Sequence, residues 1–294
     1  MGILVTSSMT GGEGMAIPGE SHSVPMYQVD AFTGEPFRGN PAAVCLLDAF
    51  LPEDTMKKIA QEMNLSETAF VTPSTRGGES GSFAIRWFTP TVEVPLCGHA
   101  TLASSWVIFT EKETSANLIT FESASGTLSA TREREGVTLD FPRNDSEPAA
   151  IPAGLLEALG LEAVEDAQVS PSAEMLLLRI EDEATLRSLR PKVEALLAVG
   201  RGDPPFQGVI VTSRSSTYDF VSRYFGPWEG IDEDPVTGAA HTVLAPYWSG
   251  IMGKDRFHAF QASKRGGALN IALVGDRVMI SGKARIVLKG ELYP

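Results

Sequence analysis

The chain is poor in the residues that build disulfide frameworks, metal centres and nucleic-acid grips. Its 294 residues include two cysteines, Cys45 and Cys97, and four histidines. Two cysteines make no disulfide framework, and histidines without paired spacing make no metal site. Lys and Arg number 24 against 37 Asp and Glu, a formal charge of −13. With no clustered basic run, that balance excludes phosphate-backbone binding, so nucleic acid is not an expected partner. No apolar stretch reaches the roughly 18–20 residues that span a bilayer, so no membrane role is expected. Free cysteines and the lack of a secretory signal point to a reducing, cytoplasmic setting.

What is present is ordinary for a folded protein: 43% apolar and 21% charged residues, in a length that suggests about two domains. Residues 1–24 are rich in Gly and Ser. Gly2 and Thr6 fit a myristoylation pattern, but the composition reads better as a disordered leader.

The remainder repeats itself. Glu93-Val-Pro95-Leu-Cys-Gly98-His-Ala100 and Glu233-Asp-Pro235-Val-Thr-Gly238-Ala-Ala240 share E-x-P-x-x-G-x-A at an offset of 140 residues. The same offset pairs Gln28-Val29 with Gln168-Val169 and Val71-Thr72 with Val211-Thr212, and an offset of 141 pairs Val137-Thr-Leu139 with Val278-Met-Ile280. Their shared order implies two homologous halves, residues 25–145 and 165–283. The junction, around 143–165, is broken by Pro, Asp and Asn. Short alternating strands such as Phe83–Phe88 and Thr217–Phe225 recur in both. An amphipathic helix after the first strand is marked by Pro52, by Met56, Ile59, Ala60 and Met63 at helical spacing, and by Asn64 at its end. Gly98–Phe109 is apolar or small nearly all round, so it must be buried on every side. A sheet curled around it, or sheets on both sides of it, would do that.

Candidate site residues follow from this frame. In MNLSETAF, strand alternation puts Glu67 on one face with Ala69 and Val71, a face its neighbours mark as buried. A carboxylate there costs several kcal/mol unless paired or protonated. Gly98 and Gly238 stand at the expected helix starts, where free backbone N–H groups and the helix dipole favour an anion; their alternative is a plain strand-to-helix turn. The halves then diverge: Gln207 stands opposite Glu67, and Asp234 stands opposite Val94. Each half therefore supplies one carboxylate, at different points of the shared frame. His99 falls in the first helical turn, where the dipole favours the neutral ring, and a core histidine with one hydrogen bond is the competing reading. His241 reads as packing and Cys45 as core. Cys97 precedes Gly98 and has Thr237 as its counterpart, so no mirrored pair of thiols exists.

DAFTGEPFRGNPAAVCLLD, MNLSETAFV, RWFTPTVEVPLCGHATLAS and EDPVTGAAH together resemble the PhzF family, from about Met26 to the C-terminus. The animal branch, the phenazine biosynthesis-like domain-containing or MAWD-binding proteins, looks most similar. The resemblance implies an α+β fold of diaminopimelate-epimerase type: two pseudo-symmetric halves, each a mixed β-barrel around a central helix, with the site in the cleft. It also implies that the last strand, about 284–294, completes the first half.

It further implies an isomerase that needs no metal, nucleotide or flavin. Glu67 would be the acid/base, and His99 and Asp234 would hold the substrate and steer protonation, with Asn40 also at the site. A small anionic metabolite would be gripped near Gly98, Gly238, Ala239 and Ala240. Ala239 stands where the family usually has serine, which leaves only its backbone N–H. A two-thiol racemase does not fit, because no cysteine follows Cys97. The alternative reading is a regulatory protein that binds a WD-repeat partner. A homodimer is the further expectation.

Overall fold

The computed structural model describes residues 23–74, 81–112 and 115–294. Residues 1–22, most of the expected leader, lie outside the described residues.

The first half runs β1 (Val24–Ala31), β2 (Asn40–Leu46), α1 (Glu53–Met63), β3 (Glu67–Pro73), β4 (Ser82–Phe88), β5 (Glu93–Val94), α2 (Gly98–Glu111), β6 (Leu118–Ser123), β7 (Gly126–Glu133) and β8 (Gly136–Pro142). The junction holds β9 (Glu147–Pro148) and α3 (Leu155–Leu159). The second half runs β10 (Asp166–Ser170), β11 (Met175–Arg179), α4 (Glu183–Ser188), α5 (Val193–Leu197), β12 (Gly208–Arg214), β13 (Phe220–Gly226), β14 (Ile231–Asp234), α6 (Gly238–Met252), β15 (Arg256–Gln261), β16 (Gly267–Val274) and β17 (Arg277–Gly282). The last strand is β18 (Ala284–Leu292).

The two halves pair their strands identically. β1–β2 is antiparallel, β2–β3 parallel, β3–β4 antiparallel and β4–β6 parallel, with β6, β7 and β8 following as antiparallel neighbours. β10 to β17 repeat that order of senses. The parallel β2–β3 step needs a crossover, which α1 supplies. After its eighth strand each half sends a segment outward: β18 pairs with β1, and β9 pairs with β10. The halves join where β8 pairs with β17, with Leu139 directly opposite Ile280. These two residues are also related by the 141-residue offset, so the pseudo-two-fold axis passes between them.

Local chemistry explains the boundaries. α1 begins after Pro52 and stops at Asn64, whose φ of 48° is the left-handed conformation that ends helices. It follows the second strand rather than the first. Met56, Ile59 and Ala60 are buried against Phe70 and Phe88. β13 starts at Phe220, not Thr217, because the Ser215 hydroxyl accepts the backbone N–H groups of Thr217 and Tyr218 and bends the chain.

α2 and α6 are the central helices. In α2 Leu102, Val107 and Ile108 are fully buried, each contributing about 1.5–3 kcal/mol by leaving water. The hydroxyls of Thr101, Ser104 and Ser105 are buried too, and each bonds back to the carbonyl four residues earlier at 2.6–2.7 Å. That self-satisfaction lets a helix with polar residues sit inside a sheet. In α6, Pro246 has no N–H to give the Thr242 carbonyl. The Asn144 N–H, from the junction, donates to it instead at 3.3 Å, and the Asn144 side chain donates to the Thr242 hydroxyl at 2.8 Å. Among the described residues no helix is long and apolar enough to cross a membrane.

Candidate active site

The starts of α2 and α6 meet where the two halves join. A methyl group added at Gly98 would lie 3.6 Å from the α-carbon of Gly238, and one added at Gly238 would lie 3.7 Å from that of Gly98. The two backbones therefore approach so closely that a methyl group at either position would already touch the other. Neither N-cap residue, Cys97 or Thr237, closes its helix with a side-chain hydrogen bond. Two partly positive helix ends thus converge on one place.

Glu67, the first residue of β3, is 8% exposed, and His99, in the first turn of α2, is 5% exposed. Oε2 of Glu67 lies 3.3 Å from Nε2 of His99, yet neither atom has a hydrogen-bond partner. Burial, aided by the negative charge of Asp234, pushes the Glu67 carboxyl up to about 8. Burial pushes His99 down to about 3, with the Pro41 backbone opposing. At neutral pH the contact therefore joins a protonated acid to a neutral ring, and it is not an ion pair. The Cys97 sulfur sits 3.5 Å from Nδ1 of His99. Burial foremost raises the thiol well above its usual value, so it is no thiolate.

From the second half comes Asp234, 6% exposed at the end of β14. Asn40 donates to its Oδ1 at 2.9 Å and to the Val236 carbonyl at 3.0 Å, which ties the first half to the second. The Thr237 hydroxyl donates to Oδ2. Burial raises Asp234 to about 6, while the Thr237 and Asn40 hydrogen bonds restrain it. Oδ1 of Asn40 is buried without a partner.

Gln261 and Thr237 complete the arrangement, and neither stands out in the sequence. The Gln261 carbonyl accepts the Thr237 N–H at 2.8 Å, and its amide donates to the Asp234 carbonyl at 2.7 Å and to the Thr237 hydroxyl at 3.0 Å. With that acceptor role filled, the Thr237 hydrogen is directed at Asp234. The one available signal is a fully buried glutamine ending β15, and burial is invisible in a single sequence. Glu229 is a third carboxyl of the neighbourhood: it accepts the Tyr224 hydroxyl at 3.0 Å, and its charge reaches Glu67.

The residues singled out from sequence divide by role. Glu67, His99, Asn40, Asp234, Gly98 and Gly238 lie together at the helix starts. Ala239 is half-buried in the first turn of α6, and Ala240 is buried in the core. His241 is fully buried, with Nδ1 2.7 Å from the Thr237 carbonyl and its ring stacked on Phe220.

An α+β pair of duplicated halves is the fold of PhzF-family proteins, shared with epimerase- and racemase-type structures. The phenazine biosynthesis-like protein model matches residues 29–290, and the chain belongs to the PhzF family. An uncharacterized isomerase of Pseudomonas aeruginosa is 47% identical over 268 residues, covering 91% of this chain and 98% of its own. The human phenazine biosynthesis-like domain-containing protein is 45% identical over 285 residues, covering 92% and 99%. The crystal structure of a PhzF-family protein from Enterococcus faecalis superposes with a TM-score of 0.85 at 42% identity, covering 92% of this chain and all of that one.

Proposed function

We propose that the protein is an isomerase that moves a proton between carbons of a small carboxylate-bearing metabolite, with Glu67 as the acid/base. The observation that carries this reading is the Glu67 carboxyl: buried, raised to about 8 and with Oε2 unpartnered. A group that titrates near neutral pH both gives and takes protons readily. Glu67 removes a proton from one carbon as the carboxylate and returns it to another as the acid. The substrate's double bond shifts, and no net proton is consumed.

The remaining residues divide the work. Asp234 keeps the Glu67 proton affinity high and, held by Asn40 and Thr237, offers its oxygens to a substrate hydroxyl or amine. His99, neutral at working pH, is a donor or acceptor but not a competing cation. The substrate carboxylate lies against backbone N–H groups at the starts of α2 and α6, Ala239 contributing its N–H alone. Asn40, Glu67, His99 and Asp234 are all buried residues, so entry of the ligand opens the cleft between the halves and closure excludes water. The name of the Pseudomonas relative is consistent with this chemistry.

The test is solvent deuterium exchange into bound unsaturated carboxylates, followed by mass spectrometry. Native protein incorporates deuterium at carbon, and Glu67→Gln does not. Equal exchange by the two proteins would remove Glu67 from the role.

A further inference from the structure

Glu67, Cys97 and His99 each present one ligating atom within 4.8 Å of the other two. All three residues are buried, and two of their atoms, Oε2 of Glu67 and Nε2 of His99, lack any partner while lying 3.3 Å apart. Zinc takes carboxylate oxygen and imidazole nitrogen at about 2.0–2.2 Å and thiolate sulfur at about 2.3 Å, so tetrahedral neighbours lie roughly 3.3–3.6 Å apart. The oxygen–nitrogen spacing already has that value. The Cys97 sulfur now faces Nδ1 of the ring, the other nitrogen from the one facing Glu67, and with no ligating separation above 4.8 Å the widest closes by at most about 1.5 Å.

The second half acts as an internal control. At the 140-residue offset, Gln207 replaces Glu67, Thr237 replaces Cys97 and Ala239 replaces His99. Three ligating side chains occur together on one side, and three residues with no thiolate, imidazole or carboxylate occur together on the other. A carboxylate, a thiolate and a neutral imidazole also balance a doubly charged ion, which a buried site requires.

We propose that Glu67, Cys97 and His99 bind one zinc-like divalent cation, which occupies the oxygens of the acid/base and silences it. The thiol and the carboxyl each surrender a proton to solvent as their lone pairs pass to the metal. The thiol selects zinc over the hard cations magnesium and calcium. Binding stands independently of the isomerase reading, whereas silencing rests on it.

The test titrates whole, reduced protein with Co²⁺, displaces it with Zn²⁺, and follows absorption and calorimetry. One Co²⁺ binds with the intense visible bands of a tetrahedral ion and a thiolate charge-transfer band in the near ultraviolet. Substituting each ligand by its twin from the other half (Glu67→Gln, Cys97→Thr, His99→Ala) weakens binding by about tenfold or more, while Cys45→Ala leaves the band intact. Metal bound by native protein without a charge-transfer band overturns the site, and that reading needs no variant. Displacement of Co²⁺ by Mg²⁺ at equal concentration overturns it as well, since an acidic surface alone would behave that way. One equivalent of Zn²⁺ stops deuterium exchange and EDTA restores it. Exchange persisting in zinc-loaded protein overturns the silencing, whereas exchange absent before zinc is added counts against the isomerase reading.

Discussion

The two central helices start from matched backbone and hold different chemistry where the halves join. At the start of α2 stand Cys97 and His99, with Glu67 facing them from β3; at the start of α6 stand Thr237 and Ala239, with Asp234 preceding them. Yet one backbone duty is preserved by unlike side chains. Thr101 of α2 donates to the Cys97 carbonyl, and His241, its counterpart at the 140-residue offset, contacts the Thr237 carbonyl through Nδ1. The shared scaffold demanded a group at that carbonyl and accepted either. No such demand fixes Glu67 or Asp234, whose burial opposes their charge. At Glu67 and Asp234 the halves differ in residues that are costly to keep buried.

The sharpest way to break this comparison is to make the halves alike. Glu67→Gln copies the second half at the proposed acid/base. Deuterium exchange should fall by about 10²–10⁴-fold, the usual range for a lost acid/base. Loss well below tenfold would mean the asymmetry has no catalytic content.

The same substitution has a stability effect of opposite sense. In the unfolded chain Glu67 titrates near 4.5 and in the folded protein near 8, so between those values the folded state binds the extra proton. Stability is therefore fullest below about pH 4.5 for this group and declines as pH rises toward 8, by at most about 1.4 kcal/mol per pH unit. Asp234, raised from 3.8 to about 6, adds a decline of the same sign in its own lower window. Glu67→Gln should remove the upper part of the slope and stabilise the protein at pH 8 by a few kcal/mol. Urea unfolding at pH 5, 6.5 and 8 measures it. A variant no more stable than native protein at pH 8 would show that burial does not strain the carboxylate.

A smaller effect tests how Asp234 is held. The Thr237 hydroxyl lowers its proton affinity, and Gln261 aims that hydroxyl. Thr237→Val should raise the Asp234 titration midpoint, read by carboxyl carbon NMR, and, because Asp234 then stays uncharged to higher pH, should shift the Glu67 midpoint downward. Thr237→Ser should restore both. Serine failing where threonine succeeds would assign the effect to the lost methyl group rather than the hydrogen bond.

Much of this plan was legible in the sequence, for identifiable reasons. The 140-residue offset exposed the duplication, and the apolar run from Gly98 marked a helix buried all round. Strand alternation put Glu67 on a buried face, and comparison with Gln207 singled it out. What stayed hidden depends on side chains meeting across long separations. Gln261 acts on a residue 24 positions away and Asn40 on one 194 positions away, and neither leaves a periodic trace. Gly98 and Gly238 were legible as helix starts, but their contact with each other follows only from the two-fold arrangement. Thr217–Asp219 carried strand-like alternation that a single serine hydroxyl overrode.

The finest difference between the helices lies at Trp106 and Pro246, residues equivalent by the 140-residue offset. α2 keeps its backbone ladder there, whereas Pro246 leaves the Thr242 carbonyl to the Asn144 N–H. The junction is thereby pinned to α6 at the proline, through a bond that an uninterrupted helix would claim for itself. Pro246→Ala restores the helical donor, and the two N–H groups then compete for one carbonyl. Helix propensity favours alanine by about 3 kcal/mol in a free helix, but the unfolded chain gains freedom when proline is lost and the Asn144 bond weakens by about 1 kcal/mol. These terms oppose, so the net change in unfolding free energy should be small, about 1 kcal/mol or less. The informative readout is local: hydrogen exchange at the Asn144 amide should accelerate in the variant while the amides of α2 stay unchanged. Unchanged protection at Asn144 would mean that β9, not the proline, fastens the junction to the second half.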